Sequence, residues 1–171
     1  MTISVLIAAY NAEGTLAETL ASVLDQTLLP DEIIVVDDGS TDHTAKVAAA
    51  ASNSVRVIGQ TNRGPAAALN LGVELATGDL LSFIDADDLW ERNKLAIQTR
   101  ALAEQIELDG VASHVRMFFC PTRSGNQQAL SASGWTRAML VIGSNAATTT
   151  LLPTLRDVRG KSVGGFCHRL V

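Results

Sequence analysis

The sequence predicts an α/β protein in which helices cover both faces of a mostly parallel sheet. Four short apolar runs, each of strand length, alternate with segments whose apolar residues recur at helical spacing. Polar residues follow these runs directly, at the strand ends where ligands of open α/β sheets bind. Together these observations predict one composite site, on the condition that the strands are parallel neighbours.

The predicted strands are continuously apolar, as is typical of strands that a parallel sheet buries on both faces. They cover residues 4–9, 33–36, 55–58 and 80–84. Each is followed by a stretch long enough for a crossover helix back to a parallel neighbour. The first half of the chain therefore predicts a repeating strand and helix order.

Helical spacing covers residues 15–26, 65–76 and 92–107, and a further helix ends near residue 51. Thr15 and Glu18 form a candidate capping box at the start of the first helix. Ser40 or Thr41 could cap the second, and Pro65 suits the first turn of the third.

The pattern weakens after residue 110. Residues 111–119 alternate well enough for a fifth strand, and residues 148–152 predict another. Between them, residues 122–145 are rich in Ser, Gly, Asn and Gln and predict a loop with one helix at 135–141. Residues 156–165 predict a short helix and a turn.

Length, composition and charge exclude several classes of protein. A chain of 171 residues with 47% hydrophobic residues can form one domain with a full core. The net charge of -5 gives no electrostatic case for a nucleic-acid partner. No run approaches the roughly 20 apolar residues of a membrane span, and the first apolar run lacks the flank and length of a signal peptide. We therefore expect a cytoplasmic protein.

Three carboxylates, Asp85, Asp87 and Asp88, follow the fourth strand within four residues. Two carboxylates about 4 Å apart repel by roughly 1 kcal/mol in water and about 4 kcal/mol at a partly shielded site. Mg²⁺ and Mn²⁺ commonly bind through one or two carboxylates together with phosphate oxygens. The cluster therefore predicts a metal-diphosphate site or, alternatively, a solvated turn in which Asp88 caps the next helix.

Polar residues also follow the first three strands. Tyr10 and Asn11 come after the first, where they could contact a ligand or form an ordinary turn. Asp37 and Asp38 come after the second, where a carboxylate could accept a hydrogen bond from a base or a sugar. Arg63 precedes the third helix, where it could meet a phosphate or serve as a surface residue.

Four motifs in this order resemble the family 2 glycosyltransferases. They are SVLIAAYN at 4–11, IIVVDDGSTD at 33–42, NRG at 62–64 and FIDADD at 83–88. The resemblance implies a GT-A type three-layer α/β/α fold with a mostly parallel, Rossmann-like central sheet. It also implies a single domain over 1–171, with a nucleotide-sugar and metal-binding core at 1–119 and the start of a truncated acceptor-side region at 120–171.

The same resemblance implies roles for individual residues. Tyr10 would lie against the nucleotide base, and Asp38 would hydrogen-bond to the base or its ribose. Asp85 would reach the ribose or a metal-bound water, and Asp87 would ligate a Mn²⁺ or Mg²⁺ that bridges the diphosphate of the donor. The nucleotide-sugar-binding residues expected on this basis are Ala8, Ala9, Tyr10, Asn11, Asp38, Arg63, Asp85 and Ala86, and the metal ligands are Asp87 with Asp85 or Asp88.

The implied activity is transfer of a sugar, with inversion, from a nucleotide-diphosphate donor to an acceptor hydroxyl. The cation would neutralise the charge that develops on the leaving diphosphate. A UDP-sugar is the expected donor, and a carbohydrate or lipid-linked molecule of cell-envelope polysaccharide synthesis is the expected acceptor. The expected location is cytoplasmic, at the inner face of the membrane if the protein associates with it peripherally.

The general base is the missing part of this pattern. In the family it belongs to an acidic motif shortly after a Gly-Gly-Phe that residues 164–166 resemble, so the expected base lies beyond residue 171. A non-catalytic or truncated nucleotide-sugar binding module is therefore an alternative. A phospho-acceptor signalling domain is a third hypothesis, which would place paired acids where Tyr10 and Asn11 stand.

Overall fold

The computed structural model describes residues 1–105, 108, 110–112 and 150–153. The strands are β1 (Ile3–Ala9), β2 (Glu32–Asp37), β3 (Val55–Gly59), β4 (Leu80–Phe83), β5 (Val111–Ala112) and β6 (Thr150–Pro153). The helices are α1 (Leu16–Leu24), α2 (Thr44–Ala51), α3 (Pro65–Leu75) and α4 (Lys94–Glu104).

All of the strands belong to one sheet, in the order β3-β2-β1-β4-β6-β5. The first four are parallel to one another, whereas β6 pairs antiparallel with both β4 and β5. The predicted α/β fold with a mostly parallel sheet is therefore confirmed. The four strands that precede the candidate site residues are parallel neighbours, as the convergence of their loops requires.

Helices cover both faces of the sheet because side chains of successive strand residues point to opposite faces. Val5 and Ile7 of β1 pack in a core with α1, α2 and α4. Leu6, between them, packs in a second core with Ile34 of β2 and the helix α3. Each such side chain stabilises the fold by about 1.5–3 kcal/mol when fully buried. The fold therefore has two cores and three layers.

The capping box predicted at the start of α1 is wrong. Thr15 is the N-cap residue, but its side chain makes no capping hydrogen bond to the helix. The backbone N–H of Thr15, which Glu18 would have to bind in a capping box, donates instead to the carbonyl oxygen of Ala12 at 3.1 Å. The preceding turn therefore uses the groups that a capping box needs.

The capping residues predicted for α2 are also wrong. The N-cap is His43, two residues beyond Thr41. The hydroxyl of Ser40 accepts a hydrogen bond from the backbone N–H of Asn11, and Thr41 donates its own N–H to the Asn11 side chain. Because these groups join the loop after β2 to the loop after β1, they do not cap the helix.

The segment between the acidic cluster and α4 is held against α1. The helix α4 begins at Lys94 rather than at residue 92, and its N-cap is Asn93, so the alternative in which Asp88 caps it is wrong. The buried amide of Gln26 donates to the carbonyl oxygen of Glu91 at 2.8 Å and accepts the N–H of Leu95 at 3.1 Å. These bonds position the chain that follows the cluster.

A buried lysine opens α4. Lys94 is 7% exposed, and its Nζ lies 3.8 Å from the centroid of the Trp90 ring. The ammonium group donates to Gln98 Oε1 at 2.8 Å and lies 3.4 Å from Ser82 Oγ. Burial lowers the pKa of Lys94 to about 7. The charged form is therefore disfavoured in the folded state.

We expect Lys94→Met to remove a pH dependence of stability that the wild type shows above pH 7. The folded wild type loses this proton near pH 7, whereas an unfolded lysine keeps it to about pH 10.4. Between these values the unfolded state binds more protons, so the free energy of unfolding rises with pH, by at most about 1.4 kcal/mol per pH unit. Below about pH 7 the Lys94 amine is protonated in both the folded and the unfolded state. The free energies of unfolding of variant and wild type then differ by a constant amount.

Urea unfolding at about pH 6, 8 and 9.5 measures this difference. Lys46→Met, which removes an exposed lysine from α2, is the matched control. The difference in the free energy of unfolding between wild type and variant isolates the titration of Lys94, because groups that the substitution does not affect contribute equally to both. Parallel stability profiles for the wild type and Lys94→Met would contradict the depressed pKa.

Several predictions fall outside the described residues. Val111 begins β5 where the fifth strand was predicted, and β6 overlaps the strand predicted at 148–152. The loop at 122–145, the helix at 135–141, the element at 156–165 and the domain division after residue 119 lie outside the described part of the chain.

Among the described helices, none combines the length and apolar character that crossing a membrane demands.

Candidate functional site

A cleft of about 370 Å³ opens at the carboxyl ends of β1 and β2, beside the start of α3. Ligand clefts in proteins commonly measure about 300–1,000 Å³. A groove of similar size between α1 and α2 is lined only by Ala, Leu and Val side chains and offers no polar side chain to orient a ligand. The lining of the cleft at the strand ends is Ala8, Ala9, Tyr10, Asp38, Asn62, Gly64 and Pro65.

The end of β1 forms one wall of this cleft. Ala8 and Ala9 have small side chains, and the carbonyl oxygen of Ala9 accepts the N–H of Asp38 at 2.8 Å. Tyr10, which follows them, is 52% exposed. An exposed aromatic ring at the edge of a cleft offers a face on which a flat heterocycle can stack. Four of the predicted site residues, Ala8, Ala9, Tyr10 and Asp38, are thus brought together.

Asp38 joins the loop after β2 to the start of α3. The residue is 2% exposed, and its carboxylate accepts three hydrogen bonds from described residues. Oδ1 accepts from Gln60 Nε2 at 2.6 Å and from the backbone N–H of Arg63 at 2.8 Å. Oδ2 accepts the backbone N–H of Gly64 at 2.8 Å. The carboxylate therefore shapes the cleft, and its contact with a base or ribose stays a prediction.

Gly39 allows the two loops around Asp38 to approach each other. It has a φ of +74°, in the region that glycine adopts most easily. A Cβ atom at this position would lie 2.8 Å from the backbone nitrogen of Asn62, which also lines the cleft. A side chain here would therefore push the loop before α3 away from the loop after β2.

Asn11 lies beside the cleft but does not line it. It has a φ of +49°, in the left-handed region that Asn tolerates better than most residues. Its Oδ1 accepts the N–H of Thr41 at 2.9 Å, and its own N–H donates to Ser40 Oγ at 2.9 Å. Asn11 therefore links two loops in this structure, and its predicted contact with the nucleotide sugar stays untested.

Arg63 stands at the amino end of α3. Its neighbours Asn62 and Gly64 line the cleft, whereas the Arg63 side chain is exposed. Gly64 is the N-cap residue, and Pro65 occupies the first turn as predicted. Pro65 has no N–H, and the N–H groups of Arg63 and Gly64 donate to the Asp38 carboxylate. The amino end of α3 therefore offers an anion chiefly its positive dipole end. The predicted role of Arg63 near a phosphate is compatible with this placement.

The acidic cluster follows β4, which is the neighbour of β1 on the other side. Asp85 is half-buried and Asp87 is exposed, and the N–H of Asp88 donates to the carbonyl oxygen of Asp85 at 3.2 Å. Burial, followed by the negative charges of Asp88 and Asp87, raises the pKa of Asp85 to about 6. Ala86 is buried in the core with α1 and α4 and is not part of the cleft lining.

A cation at the acidic cluster stays a prediction. Among the described residues, no three His, Cys, Asp or Glu side chains are grouped so that they could hold an ion. A divalent cation bound between a diphosphate and the protein needs only one or two carboxylates. Asp87 with Asp85 or Asp88 is the predicted source of these carboxylates. A cation would oppose the repulsion that, after burial, raises the pKa of Asp85.

Three residues that line the cleft were not among the predicted site residues, namely Asn62, Gly64 and Pro65. Gln60, whose side chain binds Asp38, was not among them either. All four lie directly after β3, at the same edge of the sheet as the predicted residues. The rule that ligands bind at the carboxyl ends of parallel strands selected Arg63 in this loop, and it applies equally to these neighbours.

Comparison with known proteins shows clear similarity over most of the chain. The sequence model of the family described as Glycosyl transferase family 2 matches residues 4–152. An uncharacterized glycosyltransferase of Nostoc sp. is 42% identical over 99 residues, which are 56% of this chain and 31% of that protein. One of Haemophilus influenzae is 35% identical over 129 residues, which are 73% of this chain and 50% of that protein.

A relative with a described reaction is the UDP-Glc:alpha-D-GlcNAc-diphosphoundecaprenol beta-1,3-glucosyltransferase of Escherichia coli. It is 36% identical over 98 residues, which are 56% of this chain and 39% of that protein. This chain therefore spans half or less of the length of each of these three relatives.

Two solved structures are similar in fold. TarS 1-349 of S. aureus in complex with UDP-GlcNAc gives a TM-score of 0.61 at 29% identity, covering 74% of this chain and 37% of that one. The mannosyltransferase PcManGT of Pyrobaculum calidifontis in complex with GDP-Man and Mn²⁺ gives 0.59 at 30% identity, covering 63% and 34%. The predicted GT-A type fold is confirmed.

Proposed function

Because this chain belongs to glycosyl transferase family 2, we propose that its cleft binds a nucleotide-diphosphate sugar and that the sugar passes to an acceptor hydroxyl with inversion. The observation that carries this proposal is the placement of the cleft. It lies at the carboxyl ends of β1 and β2, next to the amino end of α3, and the acidic cluster follows the neighbouring strand β4. Tyr10 is available there for the base, the amino end of α3 for the diphosphate and the acidic cluster for a cation.

The nucleotide occupies the cleft with its base against the exposed ring of Tyr10. Its ribose and base edges approach Asp38, which is held in place by three hydrogen bonds. The diphosphate lies toward the amino end of α3, where Arg63 adds a positive charge. A UDP-sugar is the expected donor, in agreement with the UDP-GlcNAc bound to the TarS structure and with the UDP-Glc of the Escherichia coli relative.

The acidic cluster is the proposed cation site. Asp87, with Asp85 or Asp88, holds a Mn²⁺ or Mg²⁺, which supplies charge neutralisation for the departing nucleoside diphosphate. Asp87 is exposed, whereas the half-buried Asp85 carries a charge that water screens less. The PcManGT structure contains Mn²⁺ together with its nucleotide sugar, which supports a metal in a related protein.

The proposed reaction is a single displacement at the anomeric carbon of the sugar. The acceptor oxygen forms a bond to that carbon while the bond to the diphosphate oxygen breaks, and a general base takes the proton of the hydroxyl. The acceptor is a carbohydrate or a lipid-linked molecule, in line with the cell-envelope role and the peripheral membrane location predicted above. Neither the acceptor site nor the base is assigned to a described residue.

Calorimetric titration of this chain with UDP, GDP, CDP and dTDP tests the proposal, first with Mn²⁺ and then with a chelator. We expect one nucleotide to bind with a Kd on the order of micromolar in Mn²⁺ and at least about tenfold more weakly in chelator. A folded sample that binds none of the four would contradict the proposal. Binding of the nucleotide without transfer from the matching sugar donor would favour the non-catalytic binding module instead.

A further inference from the structure

We propose that Gln60 makes the cleft selective for a donor base that presents a single N–H to Asp38, as uracil does, over guanine. The inference rests on the proposed function, since it concerns the nucleotide that this cleft would bind. The two similar structures described above hold UDP-GlcNAc and GDP-Man, so proteins of this fold differ in the base they take. Selection of the base is therefore a property that individual residues must determine.

The Asp38 carboxylate has a limited number of acceptor positions. An ionised carboxylate has two oxygens and about four lone-pair positions. Gln60 Nε2 and the N–H of Arg63 occupy the two positions of Oδ1. The N–H of Gly64 occupies one position of Oδ2. No other described residue donates to this carboxylate in the structure, so one acceptor position remains, on Oδ2.

The remaining acceptor position is the one that a base in the cleft would meet. Asp38 lines the cleft together with Tyr10, and its side chain is almost completely excluded from solvent. The pairing edge of uracil carries one N–H, at N3, between two carbonyl oxygens. The pairing edge of guanine carries two adjacent donors, at N1 and N2. One acceptor position therefore satisfies uracil and leaves a guanine donor unpaired.

An unpaired donor in a buried site weakens binding substantially. The loss for one buried group without a partner corresponds to about 10- to 100-fold in affinity. Sites that match the hydrogen-bonding groups of a ligand discriminate in this way more strongly than apolar pockets do. The arrangement around Asp38 is thus sufficient to separate the two classes of base.

Gln60 is the specificity residue because, of the three donors, it alone donates through its side chain, so its identity sets how many acceptor positions Asp38 keeps. The other two donors are backbone N–H groups. The backbone of Gln60 is itself held by a hydrogen bond from its N–H to the carbonyl oxygen of Asp37 at 2.9 Å. Gln60→Met retains the length of the side chain and removes the donor, which frees a second acceptor position on Oδ1.

The test compares the Kd values of UDP and GDP in Mn²⁺ for the whole chain and two variants. We expect the wild type to prefer UDP by about tenfold or more, and Gln60→Met to reduce that preference at least about fivefold. Gln105→Met, at the exposed end of α4, is the matched control and should keep the wild-type ratio. If Gln60 serves only to stabilise the loop, both nucleotides lose affinity equally, and the unchanged ratio overturns the inference.

A second measurement uses only the wild type and does not depend on the folding of a variant. Inosine diphosphate has the N1–H of guanine but lacks the amino group at position 2. We expect it to bind about fivefold or more tightly than GDP, since its single donor matches the single acceptor position. GDP binding as tightly as inosine diphosphate, or more tightly than UDP, would overturn the inference while leaving the proposed function intact. Absence of binding by every nucleotide would instead remove the proposed function.

Discussion

Asp87→Ala should weaken Mn²⁺-dependent binding of UDP by about 100-fold or more, with little effect on stability. Loss of a residue that only supports a metal ligand already costs about 10- to 100-fold, so loss of a ligand should cost at least as much. The side chain of Asp87 is exposed, and no described residue forms a hydrogen bond with it. Its removal should therefore change the free energy of unfolding by less than about 0.5 kcal/mol.

Calorimetric titration of UDP into the variant, with Mn²⁺ and with chelator, checks this expectation. The wild type in chelator should behave like the variant in Mn²⁺, because both lack a bound cation. Glu74→Ala, which removes an exposed acid from α3, is the matched control and should bind like the wild type. Retention of metal-dependent binding by Asp87→Ala would refute the assignment of the acidic cluster as the cation site.

Asp38→Asn should destabilise the protein by about 2–4 kcal/mol, whereas Asp37→Asn should cost less than about 1 kcal/mol. The Asp38 carboxylate accepts three hydrogen bonds in a nearly water-free position. An Asn side chain offers one oxygen, and its NH₂ group would face donors that need acceptors. Asp37 is half-buried, and its side chain accepts one hydrogen bond, from the N–H of Ser40 at 3.1 Å.

The adjacent pair of aspartates thus provides an internal comparison with matched chemistry. Urea unfolding of both variants gives the two stability changes, and titration with UDP gives the effect on the cleft. We expect UDP affinity to fall in Asp38→Asn, since the loop of Arg63 and Gly64 would lose its anchor. Equal destabilisation by the two substitutions would show that the three hydrogen bonds to Asp38 contribute little.

The sequence by itself determined the elements of this fold and the strand ends that carry the polar residues. The four apolar runs became β1 to β4 with ends shifted by at most one residue, and Pro65 starts α3 as predicted. These successes have a common physical cause, because strand burial and the φ angle of proline are properties of short segments. Even the parallel arrangement follows from the alternation of strands and helices along the chain.

Only the tertiary structure decided which groups within the site bind each other. Asp38 is anchored by Gln60, Arg63 and Gly64, which lie 22 to 26 residues away in sequence. The side chains of Ser40 and Asn11, which local rules assign to a helix cap and a turn, join two loops instead. Such bonds depend on the register between parallel strands, which brings distant loops together at one edge of the sheet. No local pattern encodes that contact, so the sequence predicts the edge where a ligand binds, and the fold selects the residues that shape it.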